Sequence, residues 1–188
     1  MLSGRTWTLS AVTVAVLLMA AMALGGIGLL GSATTSADDD NKQQRVFRFV
    51  GASFGPEVDG VLHRIAMNGD GKFTANHVNA TGSFVHFDQN TAGPGVVILA
   101  SGTWRATKVL SYETGFGTAG QIDSGIIEME VDLFPDGGPK TSAVLTVICN
   151  IGFAGILTGQ PEGYRLTTQG LTFEPSGSPT HISVPGSR

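Results

Sequence analysis

Residues 126–134 read IIEMEVDLF, and the side chains change character at every second position. Ile127, Met129, Val131 and Leu133 share one face, while Glu128, Glu130 and Asp132 share the other. Strict alternation over this length is the period of a β-strand with one face in a core and the other in water. Wound as a helix, the same residues would scatter the three acids around the axis.

The neighbouring segments continue the pattern. Pro135-Asp136-Gly137-Gly138-Pro139 reads as a turn. Thr141–Ile151 (TSAVLTVICNI) is apolar on both faces and predicts a central strand. Gly163–Thr168 and Leu171–Phe173 finish the sheet. Upstream, Val96–Glu113 is long for one strand. Val96, Ile98, Ala100, Gly102, Trp104 and Ala106 share a face, and beyond Lys108 the alternation changes sense. This predicts a bulge or a break near Gly102 or Lys108. Val46–Val50, Gly60–Met67, Lys72–Val78 and Ser83–Phe87 read as further strands. Asn68-Gly69-Asp70-Gly71 contains both favoured hairpin dipeptides and predicts a reversal, with a second at Asn79–Gly82. About eight strands with Gly-rich turns predict an all-β chain, folded as a single antiparallel β-barrel or β-sandwich. Both bury one face per strand, so alternation leaves the choice open.

Composition agrees. Hydrophobic residues make up 41% of the 188 and charged residues 14%, too apolar for a disordered chain and too charge-poor for a solvated coiled coil. The 27 glycines lack the every-third-residue period of collagen. The formal charge is −4, and beyond residue 37 there are ten basic against fifteen acidic residues. No Lys/Arg cluster exists to neutralise phosphates, which excludes nucleic acid as an expected partner.

At the N-terminus, Arg5 precedes an uncharged run from Ala11 to Leu30, followed by the small residues of Ser32–Ala37 and then Asp38-Asp39-Asp40. Residues 1–37 are read as a cleaved signal peptide or an uncleaved transmembrane anchor. Either places the rest of the chain outside the cytoplasm, secreted or held at the cell membrane by this segment alone. Residues 38–44 (DDDNKQQ) form a polar linker, residues 45–174 the all-β domain, and residues 175–188, which carry no core pattern, a flexible tail. Cys149 is the single cysteine, so no intramolecular disulfide can form. It shares the face of Leu145 and Val147 and is expected to be buried and inert.

The chemistry-bearing residues are sparse. Gly115-Phe116-Gly117-Thr118-Ala119-Gly120 matches G-x-G-x-x-G, but an alternating strand follows it where a dinucleotide site needs a helix. Asn68–Lys72 lacks the flanking acids of a calcium loop. His63, His77 and His86 fall on three successive predicted strands with no metal-ligand spacing, so neither a metal nor a cofactor is expected. Glu128, Glu130 and Asp132 read as the wet face of their strand; in a barrel with a polar interior they would instead face a pocket. No G-x-S-x-G elbow is present. Asn79-Ala80-Thr81 is the one N-glycosylation sequon, in a predicted turn.

Ser101-Gly102-Thr103-Trp104-Arg105 contains G-x-W followed by Arg. This resembles the short signature that opens lipocalin barrels, in which the Trp seals the barrel base and the Arg packs on it. Here the segment lies mid-chain rather than on the first strand.

The leading expectation is an exported, non-enzymatic β module with a binding or structural role at the cell envelope or in the extracellular space. Its sheet would contact a protein partner or a second copy. The alternative is a small-molecule-binding β-barrel, lipocalin-like in architecture and taking an apolar molecule, or a barrel enzyme. Either would use a pocket around His63, Trp104 and Tyr112.

Overall fold

The computed structural model describes residues 43–90, 96–119, 122–150 and 160–184. The N-terminal apolar run lies outside them. Among the described residues no helix is long and apolar enough to cross a membrane. Nine strands follow one another: β1 (Arg45–Val58), β2 (Val61–Thr74), β3 (His77–Asp88), β4 (Val97–Ala119), β5 (Ile122–Pro135), β6 (Thr141–Cys149), β7 (Gly163–Thr167), β8 (Thr172–Pro175) and β9 (Thr180–Ser183). Every pairing is antiparallel, and β1 to β8 are neighbours in chain order. Because β1 pairs with both β2 and β8, the eight strands close into a barrel. Of the two expected architectures the sandwich is thereby excluded.

The ninth strand lies outside that circuit. β8 meets β1 only at Ser53 and Phe54, and β9 takes the other half of the same edge, Val46–Phe49. Within the stretch expected to be a flexible tail, Thr180–Ser183 thus forms a strand. Ile182 is fully buried, and Ser183 reaches Ile122 of β5. The short run His181-Ile182-Ser183 gave no periodic signal, but an unfilled edge of β1 supplied its hydrogen-bond partners.

The first half of the barrel corrects the expected turns. β1 and β2 are joined at Asp59-Gly60, both with positive φ (51° and 80°), the two-residue hairpin geometry whose twist matches its strands. β2 and β3 turn at Ala75-Asn76. The Asn68–Gly71 segment does not reverse the chain. It runs straight through β2, and Asn79–Gly82 runs through β3. The reason is steric. A Cβ on Gly69 would lie 2.1 Å from Cζ2 of Trp104, and one on Gly82 would lie 2.5 Å from its Nε1 and 1.9 Å from the Asn68 carbonyl. These glycines leave room for an indole, a use that hairpin statistics do not distinguish from a turn. Asn79 is exposed on β3 rather than at a turn, and Thr81 donates its hydroxyl to the Trp104 carbonyl at 2.8 Å.

β4 and β5 form the longest ribbon. Its register shifts at Ala106/Lys108, Val109/Ser111 and Thr114/Thr118, so the expected bulge near Lys108 is present. The face of Ile127, Met129, Val131 and Leu133 points into the barrel, joined by Leu145, Val147 and Cys149 of β6. Glu128 and Glu130 lie on the outer wall. Asp132 is outward too, but buried beneath Lys140 (Nζ at 3.1 Å) and Ser142 (hydroxyl at 3.1 Å). Residues 115–119 belong to β4 and β5 begins at Ile122, so among the described residues no helix N-terminus stands there to hold a dinucleotide.

Candidate functional site at the barrel mouth

The antiparallel order gives the barrel two distinct ends. At one end lie the start of β1, the β2–β3 turn and the end of β6. This end is plugged. Arg45, 4% exposed, sits over the Tyr112 ring at 4.7 Å, and Tyr112 meets Phe73 edge-on at 4.9 Å. From there Phe73, Phe47 and Phe49 carry a continuous aromatic stack to Trp104 and Tyr164 in the middle of the barrel. Trp104 is fully buried and donates its Nε1–H to the Asn68 carbonyl at 2.9 Å. Bulky aromatics facing inward from β1, β2, β4 and β7 fill the barrel rather than leaving a channel.

The other end differs. It collects the Asp59-Gly60 turn, the end of β3, the start of β4 and the β5–β6 and β7–β8 turns. A cavity of about 140 Å³ opens there. Its walls are mainly apolar, with Ile65, Phe84, Ala100, Leu166, Leu171 and Phe173 prominent and His86, Thr141 and Thr168 as the polar members. Exposed apolar residues lie at the same end of the barrel: Val58 where β1 ends, and Val96, Val97, Ile98 and Leu99 where β4 begins. Two larger depressions lie on the outer wall. One of about 330 Å³ runs past Glu130, Asp132 and Ser142, and one of about 500 Å³ lies against Arg48, Asp70, Lys72 and His181. Both are lined chiefly by outward-facing residues of the wall, whereas the mouth cavity is built from the inner faces of the strands.

Beside Thr141 and Thr168, the mouth carries a pair of imidazoles. β2 and β3 are registered so that His63 faces Asp88 and Ile65 faces His86, which sets the two histidines diagonally on the inner face. His63 Nδ1 lies 2.9 Å from His86 Nε2. His86 packs edge-on against Phe173, with ring centroids 5.3 Å apart. Burial pushes the His86 pKa below the usual imidazole value, and the neighbouring His63 charge pushes it the same way. The Asp88 Oδ1 accepts from the Leu62 and Asn90 amides and fastens the strand end.

The expected pocket around His63, Trp104 and Tyr112 does not assemble. His63 is at the mouth, Trp104 in the filled middle and Tyr112 beside Arg45 at the plugged end. His77 is exposed at the β2–β3 turn, away from the other two histidines. Among the described residues, no three His, Cys, Asp or Glu side chains gather to hold a metal ion. The lipocalin-like segment also departs from its pattern, since Arg105 lies over Phe134 at 5.7 Å rather than on Trp104. The residue that sequence reasoning did not select for binding is His86. The available signal was its place with Phe84 on an inward face, one strand from His63. Compared with known proteins, the chain matches no family model, no curated protein and no solved structure.

Proposed function

We propose that this protein is an exported, non-enzymatic binding module: a β-barrel cup, plugged at one end, that takes a small apolar molecule at the other. One observation carries the reading. The barrel is packed with aromatics from Arg45 to Trp104, yet a mainly apolar cavity of about 140 Å³ remains at the mouth between Phe84, Ala100, Leu171 and Phe173. A site of this volume is below the roughly 300–1,000 Å³ of pockets for drug-sized ligands and suits a compound of a few heavy atoms. Export rests on Arg5, the apolar run and the small residues before Asp38. The chain enters the barrel at Arg45, the end opposite the mouth.

Thermal unfolding in the presence of saturating toluene tests the reading. A ligand that binds only the folded cup raises the transition temperature with concentration. Ala100→Leu, which fills the cavity, should abolish that rise and leave the protein folded. An unchanged transition in the wild type, or the same rise in the filled variant, rejects the cup.

A second reading follows from Val96–Leu99, four consecutive exposed apolar residues at the start of β4. A run of this kind on a soluble surface favours protein contact. Self-association lost in Ile98→Lys, read by light scattering, would support it.

A further inference from the structure

We propose that the ligand of the mouth is an uncharged compound of single-ring size carrying one hydroxyl group, which hydrogen-bonds to Nδ1 of His86. This rests on the cup reading and adds the chemistry of the ligand to it. Size comes first. An apolar cavity of about 150 Å³ lined by Leu, Ile and Phe holds benzene in another protein, and the mouth is a cavity of about 140 Å³ with comparable walls.

The head group follows from the histidine pair. Nε2 of His86 is engaged with Nδ1 of His63, so Nδ1 is the ring nitrogen of His86 that remains for a ligand. A neutral imidazole carries one N–H and one lone pair, so the two rings share a single N–H···N bond and their tautomers are locked together. If His63 donates to His86, then His86 Nδ1 carries a hydrogen and is a donor. If His86 donates to His63, then His86 Nδ1 is an acceptor and His63 Nε2 carries the hydrogen. A hydroxyl is both donor and acceptor, and it satisfies the pair in either arrangement without creating a charge. A carboxylate can only accept, so it satisfies the pair in one of the two arrangements and not the other, and its charge would lose hydration in the mainly apolar cavity. An ammonium group would lose its hydration against Phe84, Leu171 and Phe173.

The test titrates the full-length protein with toluene, phenol and benzoate, and repeats the series with His86→Leu and His63→Gln. Phenol should bind about fivefold tighter than toluene, within the range one net hydrogen bond gives. Benzoate should bind more weakly than either. His86→Leu should erase the preference for phenol while keeping toluene binding. His63→Gln should keep part of it, because Nδ1 of His86 is still present. Should the His86 variant fail to fold, the imidazole ¹⁵N signals of the wild type decide: phenol should shift His86 Nδ1 and toluene should not. Equal binding of toluene and phenol, tighter binding of benzoate, or an unmoved Nδ1 signal overturns the hydroxyl assignment and leaves the cup standing. Binding of none of the three overturns both.

Discussion

The Ser53 hydroxyl donates to the Tyr164 carbonyl at 2.6 Å, and the Tyr164 phenol reaches back to the Ile65 and Gly51 carbonyls at 2.7 and 3.2 Å. Both residues are fully buried. β1 and β7 share no ladder, because β8 and β9 meet β1 only at its two separate stretches. The two side chains thus stitch the barrel across the place where backbone pairing is thinnest. Burial also raises the phenol pKa far above its usual value, so the hydroxyl stays a donor at every physiological pH.

Removing that phenol leaves two inner carbonyls without their donor. Tyr164→Phe should destabilise the barrel by about 1–3 kcal/mol, the cost of an unsatisfied buried polar group. Denaturant titration should show a lower midpoint with an unchanged slope. A midpoint equal to wild type would mean that closure rests on the β8 and β9 ladders alone.

Trp104 and Gly69 should fail in opposite ways. Trp104→Ala empties the middle of the barrel and should cost about 3–5 kcal/mol. Gly69→Ala places a methyl where Cζ2 of Trp104 already sits, and should cost at least about 1–3 kcal/mol through overpacking. Glu130→Ala, on the outer wall, should change stability by no more than about 0.5 kcal/mol. A tolerated Gly69→Ala would contradict the packing described for the indole.

His86 makes stability depend on pH in a defined direction. Its folded pKa lies below the unfolded value of 6.5, so the unfolded chain takes up a proton first as the pH falls. Stability should therefore decline as pH drops from 6.5 to the lowered folded value and level off below it. Urea midpoints at pH 7.5 and 5, in wild type and His86→Leu, measure this. The contribution is absent if both proteins lose stability equally.

Cys149 should resist thiol reagents in the native state. It is fully buried beside Val147, and its thiol points at the Thr180 carbonyl at 3.7 Å. Modification should appear only after denaturation. Rapid labelling of the folded protein would mean that β9 opens away from β6.

The sequence by itself determined the elements that span β5 and β6. There the alternation of Ile127, Met129, Val131 and Leu133 with acids is a local property, and the pleat turns it directly into an inside and an outside. The bulge near Lys108 was legible in the same way, because a change of phase needs an extra residue. Tertiary structure decided the rest. Asn68-Gly69-Asp70-Gly71 has the chemistry of a turn, yet it lies flat in β2 because the indole of Trp104, 35 residues away from Gly69, occupies the space a side chain would need. Ile182 was recruited by an open edge of β1 that no local pattern reveals. The pairing of His63 with His86 depended on the β2–β3 register, and so on the turn falling at Ala75-Asn76 rather than at Asn68–Gly71. Alternation assigns a face to each side chain, but which side chains meet across strands is set by register and closure, and those are properties of the whole barrel.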